Sequence, residues 1–424
     1  MTGPSRSAWR PGSAGATHPA SPGVRVVLDA RPLQDLDRAP LTAAYLEGLL
    51  GALDADPQPG ESFSFLLTSD QDDPTDRWPN LEVVGRRLLP PTRLLRAGAL
   101  TVDPVLLRGA SLGAGWRAER DGAAGVVYHA AAGALPIASR IPVVAALLDL
   151  APWELPDAYQ RGAATRFGQR IRARLLRDAA AVVVPSHVAA GEARRLLHIR
   201  ASRLRVVPLA PRSAYRPEAA DGAARERDRL GLGERYAVYA GRYDARQDLP
   251  TLLGALAALA AEPVPDGLEA WPPKVCLIGA SPDDRAALSR AAGRAGIAEA
   301  LAYAPRLPED RLASLVAGAR FLVQPVRSEA AGLTAMDALA AGVPVVASAV
   351  GALPEVVGAG GILVEPGDAI RLATALRAAW TDDGLHASLV TAALDRGERP
   401  RTWADVARET RVIWAEVARP TTLL

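Results

Sequence analysis

Two carboxylates, Glu329 and Asp337, bracket a run of small residues, Ala330, Ala331 and Gly332, at a point where a loop must turn into a helix. The apolar stretch 321–323 reads as a buried strand, and the loop after it carries Glu329. A helix opens near Gly332 and stops at Gly342, and residues 345–347 form a second buried strand. A loop feeding a helix N-terminus presents unpaired backbone N–H groups and the positive end of the helix dipole, which suits a phosphate or another anion. Asp337 falls about five residues into that helix, roughly 7 Å from its start at 1.5 Å per residue. Two carboxylates and an anion cradle are therefore expected along one crevice. Acids at loops and on helix faces are usually just solvated, so the surrounding elements must carry any functional reading.

At 424 residues the chain exceeds what one hydrophobic core usually supports, and two domains are expected. Apolar runs at 24–28, 142–147, 181–184 and 204–207 precede Pro211, runs at 236–240, 321–323 and 345–347 follow it, and helical stretches separate them. The alternation predicts an α/β chain of two doubly wound parallel sheets, with ligands beyond the carboxyl ends of the strands in the cleft between them. The boundaries fall at residues 24–211 and 212–399. Residues 1–23, rich in Ser, Gly, Pro and Ala without helical or strand period, read as a disordered tail.

The block that starts at Glu329 resembles the retaining, nucleotide-sugar-dependent glycosyltransferases of family four. Their signature is an acid, seven residues, a second acid, a small-residue helix and a Gly-x-Pro-Val-Val-Ala-Ser strand. Here Glu329 and Asp337 take the acidic positions and residues 342–348 (GVPVVAS) match the tail, while 351–358 (GALPEVVG) and 365–368 (EPGD) extend the likeness. The resemblance implies two Rossmann-like domains of the GT-B type, the first on the acceptor side and the second binding the donor. It also implies that the last segment, residues 400–424, forms a helix from Trp403 returning to the first domain. Glu329 would contact the donor sugar, and Asp337, where the family has Glu, would hold the ribose hydroxyls. Gly332 and Leu333 would lie against the donor.

Upstream, the strand 236–240 and residues 241–250 (GRYDARQDLP) are similar to a family segment whose Arg and Lys neutralise the donor diphosphate. Fixed cations suit that task because the leaving group gains negative charge as the glycosidic bond breaks. Arg242 keeps the first position and Gln247 replaces the lysine. Arg246 beside it is expected on the surface, with the alternative that it supplies the missing charge.

The first half matches more loosely. Residues 34–42 (QDLDRAPLT) contain no glycine where the family brings a Gly-rich loop against the phosphates. Residues 148–152 (LDLAP) are similar to the family's His-Asp-Leu, with Leu148 in place of the sugar-binding His and Asp149 kept. His129, closing the strand 126–128, is a candidate to face the cleft along with Asp149, the alternative being a structural residue.

The function implied is a hexosyltransferase using a nucleoside-diphosphate sugar as donor substrate, with no cofactor, and a glycan or lipid-linked acceptor. Arg242 and Glu329 carry the chemistry in that reading. The departures at the Gly loop, Leu148, Gln247 and Asp337 keep open a second one, a catalytically degenerate relative that binds sugar nucleotide or a partner transferase. An epimerase on the same fold fits residues 329–348 less well.

Composition excludes other classes. The net charge of +2 leaves no global footprint for nucleic acid. No run of eighteen apolar residues predicts a spanning helix, and no signal-peptide pattern opens the chain, so a cytoplasmic location is expected. Cys276, the single cysteine, lies in an apolar strand and reads as core. The pairs Asp35 and Asp37, and Asp70 and Asp72, follow no convincing strand, and no metal is assigned. Residues 161–177 form a basic helix with Phe167, Ile171 and Leu175 spaced at four. It reads as a packed helix with a solvated cationic face or, alternatively, as a peripheral contact with anionic lipid on the inner face of a membrane.

Overall fold

Runs such as VRVVLD and AVVV are apolar at nearly every position, which suits strands covered on both faces. The computed structural model describes residues 23–92, 99–131, 133–268, 271–395 and 401–420. The expected N-terminal tail, residue 23 apart, lies outside these, as does the boundary near residue 399.

The first sheet contains β1 (Val24–Asp29), β2 (Ser62–Thr68), β3 (Val83–Leu89), β4 (Gly125–Ala130), β5 (Val143–Ala146), β6 (Ala181–Val184) and β7 (Leu204–Val206), in the parallel order β3-β2-β1-β4-β5-β6-β7. The second contains β8 (Ala237–Ala240), β9 (Val275–Ile278), β10 (Leu301–Ala304), β11 (Phe321–Gln324), β12 (Val345–Ser348) and β13 (Gly361–Val364), ordered β10-β9-β8-β11-β12-β13. These are two doubly wound parallel sheets, and the order reverses between β1 and β4 in one and between β8 and β11 in the other. Crevices open at such switch points beyond the strand ends. Arg242 follows β8 and Glu329 follows β11, so the second crevice lies between them.

Helices cover both faces of the first sheet. On one side the helices Pro40–Ala55 and Trp403–Val417 bury Tyr45, Leu46, Leu49, Ile413 and Trp414. On the other, Ala99–Arg120, Ala163–Asp178 and His187–Leu197 bury Leu107, Leu176 and Leu197. The final helix thus packs on the first domain after leaving the second. A capping box sets its start, with the Thr402 side chain accepting from the Asp405 amide and the Asp405 side chain accepting from the Thr402 amide.

His129 does not reach the cleft. It points to the same face of β4 as Val127 and is fully buried. Its Nδ1 accepts from the Trp414 indole at 3.1 Å, and its Nε2 lies 3.1 Å from the Tyr45 hydroxyl. An indole nitrogen only donates, so Nδ1 holds the lone pair and Nε2 the proton. Strand alternation decided this, because the residue sits one place short of the strand end and on the helix-covered face. Burial pushes the imidazole down to about 4. The unfolded chain therefore takes up this proton first as pH falls, so the contribution is fully present above about 6.5 and lost towards 4, about 3 kcal/mol in all. Urea unfolding between pH 7.5 and 4.5 should show this loss, and His129→Gln, less stable at neutral pH, should show a shallower one. Equal slopes would exclude His129 as the titrating group.

Candidate functional site

The loop after β11 is held by its own acid. Glu329 Oε1 accepts from the backbone amides of Ala331 at 3.1 Å and Gly332 at 2.9 Å, and Oε2 from the Gln324 side chain at 3.1 Å. The anion cradle expected for a ligand is thus occupied by the Glu329 carboxylate. Burial pushes this carboxyl above its ordinary value, against the pull of the two amides. Gly332 caps the helix Leu333–Ala340 at φ 70°, and a Cβ there would meet Val356 at 2.9 Å. Leu333 is buried.

Arg242 is half exposed beyond β8, with Nε 3.2 Å from Asp244 and Nη1 donating to the Arg38 carbonyl of the first domain at 3.3 Å. Arg246 is not the surface cation the sequence suggested. Its side chain, 14% exposed, crosses the cleft to Asp149 at 2.9 Å, lies 3.3 Å from Asp244 and donates to the Tyr159 hydroxyl at 3.4 Å. Burial pulls its pKa down, but Asp149 and Asp244 outweigh burial and the net shift is upward. Gln247 makes an isolated antiparallel bridge with Val326, which places the segment after β8 against the start of the Glu329 loop. The crevice therefore holds two guanidiniums, paired with acids, beside one carboxylate.

Two other positions differ from expectation. Asp337 is 1% exposed, and both its oxygens accept from Arg212. Oδ1 accepts from the Arg212 amide at 2.9 Å, and Oδ2 from Nε at 2.9 Å and Nη2 at 2.7 Å. Burial pushes this carboxyl up to about 6 even though the guanidinium pulls the other way. Leu148 is 4% exposed within the core cluster of Tyr45 and Trp414. A histidine there would sit among apolar groups, with Ala331 of the Glu329 loop in the same cluster.

The glycine-free loop of the first domain is tied down by side chains. Arg31 forks onto the fully buried Asp29 at 2.7 and 2.8 Å and reaches Asp103 at 3.1 Å. The Gln34 side-chain amide donates to the carbonyls of Thr68, Gln71 and Asp72. Among the described residues no cluster of three or more His, Cys, Asp or Glu could hold a metal.

Sequence reasoning missed the contacts that fasten the two domains. Ser186, which caps the helix His187–Leu197, donates to the Ala330 carbonyl at 3.0 Å. Glu355 accepts from the His187 and Val188 amides of that same helix at 3.2 and 2.8 Å, and Ser328 donates to Glu154. The Pro-Ser pair after β6 was a legible helix start, but its partner across the cleft was not.

Residues 222–396 match the family Glycosyl transferases group 1. The chain is 33% identical over 218 residues to a D-inositol 3-phosphate glycosyltransferase of Streptomyces avermitilis, covering 47% of this chain and 45% of that protein. It thus spans about half the length of the curated relatives it matches. Over nearly the whole chain the fold is similar to the sucrose-phosphate synthase of Thermosynechococcus elongatus (TM-score 0.68, 19% identity, 92% and 98% of the two chains). It is also similar to HepE of Anabaena, solved in complex with UDP-glucose (TM-score 0.65, 16% identity, 92% and 99%). Residues 222–396 are thus similar in sequence to the group 1 glycosyl transferases, and the whole chain shares the two-domain GT-B fold of these solved structures.

Proposed function

We propose that this protein moves a hexose from a nucleoside-diphosphate sugar to a hydroxyl of a glycan or lipid-linked acceptor, with retention at the anomeric carbon. The observation that carries the reading is the pair of guanidiniums after β8, Arg242 and Arg246, set across the switch point from the Glu329 loop. The donor diphosphate displaces Asp149 and the Arg38 carbonyl from these cations, and Arg246 supplies the charge that Gln247 lacks. Glu329 orients the sugar. The bond from the anomeric carbon to the leaving phosphate oxygen breaks, the acceptor oxygen bonds on the same face, and its proton passes to that phosphate oxygen. Negative charge therefore grows on the diphosphate, where fixed cations lower the barrier most. Asp337 acts at a distance, by holding Arg212 and the helix behind the loop.

Calorimetry with UDP-glucose and other nucleoside-diphosphate sugars tests this. Arg242→Ala should weaken binding of the preferred donor by about one to two decades, the loss of one charged hydrogen-bonding partner. Glu329→Gln should lower turnover to a similar extent, with both melting temperatures within a few degrees of the parent. Equal binding of every donor by parent and Arg242→Ala would overturn the assignment. Donor binding without release of nucleoside diphosphate, across all acceptors, would instead favour the non-catalytic relative.

A further inference from the structure

The outer surface of the first domain's helical layer carries a face that glycosyl transfer does not use. In the helix Ala99–Arg120, Val102, Val105, Leu112 and Trp116 recur at spacings that place them on one side. Val105 and Trp116 are 62% and 68% exposed, whereas Leu107, Ala110, Ala114 and Ala118 on the opposite side are buried against the sheet. The helix Ala163–Asp178 lies on the same face of that sheet, its Gly168 packed against Leu100, and leaves Phe167 56% exposed. Four arginines, Arg108, Arg117, Arg170 and Arg174, are exposed on these two helices. None of them forms an ion pair among the described residues. This concentration of exposed positive charge stands in a chain whose net charge is only +2.

We propose that this face docks on a bilayer surface carrying anionic lipid. Charge complementarity selects that occupant: guanidiniums meet lipid phosphates while single apolar side chains enter between the headgroups. A folded protein partner would find a contiguous apolar centre depleted of charge, whereas here the apolar stripe is flanked by exposed arginines on its own helix and on the next. Among the described residues no helix is long and apolar enough to cross a membrane, so the contact lies along the surface.

The test is co-sedimentation of the full chain with vesicles of phosphatidylcholine alone and of phosphatidylcholine with phosphatidylglycerol. Binding should be at least about tenfold tighter to the anionic vesicles and should fall with salt. The triple variant Arg117→Glu, Arg170→Glu, Arg174→Glu should abolish it. Trp116→Ser with Val105→Ser should weaken it about tenfold, and Phe167→Ser is an independent check on the second helix. Unchanged melting temperatures and donor binding would show that the variants fold and would separate this proposal from the donor-site reading. No binding to anionic vesicles, or binding that both sets of variants leave intact, would overturn it. So would a dimer of the parent chain that Trp116→Ser dissociates, which would assign the face to a second copy.

Discussion

Arg212→Ala should destabilise the protein by about 3–5 kcal/mol, because it strands a buried carboxylate. Asp337 is 1% exposed, and every contact recorded for its oxygens comes from Arg212. In the parent, burial already pushes this carboxyl up to about 6, so the ion pair itself adds little net stability. Removing one partner is what costs. The sign of the pH dependence follows. Without the guanidinium the folded-state pKa rises further above the ordinary value of 3.8. The variant's deficit should then be largest at pH 8 and shrink towards pH 5, where the buried acid is neutral. The double variant Arg212→Met, Asp337→Leu should recover most of the loss. Chemical denaturation at several pH values reads both effects, and a deficit below about 1 kcal/mol at every pH would show that Asp337 is not held as described.

Gly351→Ala should be nearly as damaging, and it acts directly on the site. Gly351 sits at φ 55°, and a Cβ there would come within 1.7 Å of the Glu329 carbonyl oxygen, which also accepts from the Ala352 amide at 2.9 Å. The clash is with backbone, so the Glu329 loop must move. Left-handed strain of about 1–2 kcal/mol adds to an overpacking cost of about 1–3 kcal/mol. Gly231→Ala is the control, because it has φ 61° but nothing within 4 Å, and should cost only the strain. Gly351→Ala should also lower donor turnover in the fraction that remains folded, which Gly231→Ala should not. Equal stability losses in the two variants would show that the contact with Glu329 is not decisive.

Much of the architecture was legible because it rests on local patterns. Short apolar runs alternating with helical stretches allow few arrangements other than covered parallel sheets, and β8 and β11 stand where residues 236–240 and 321–323 placed them. Arg242 and Glu329 were singled out by resemblance to the family's motifs, and both stand just beyond strands, where such sheets open. The short and small-residue helix after Gly332 was equally readable from its composition.

What a polar side chain faces was decided only in three dimensions. His129 was placed at a strand end by counting, yet alternation along β4 turned it under a helix that arrives 285 residues later. Asp337 had the right spacing for a ligand contact, but its partner is Arg212, 125 residues earlier. Arg246 looked like any surface arginine until the first domain brought Asp149 against it. Spacing along a chain determines which residues share a strand, a helix face or a loop, because those periods are set by the backbone. The partner of a charge is chosen by packing between elements far apart in sequence, because an unpaired buried charge is too costly to keep and the nearest counter-charge takes it.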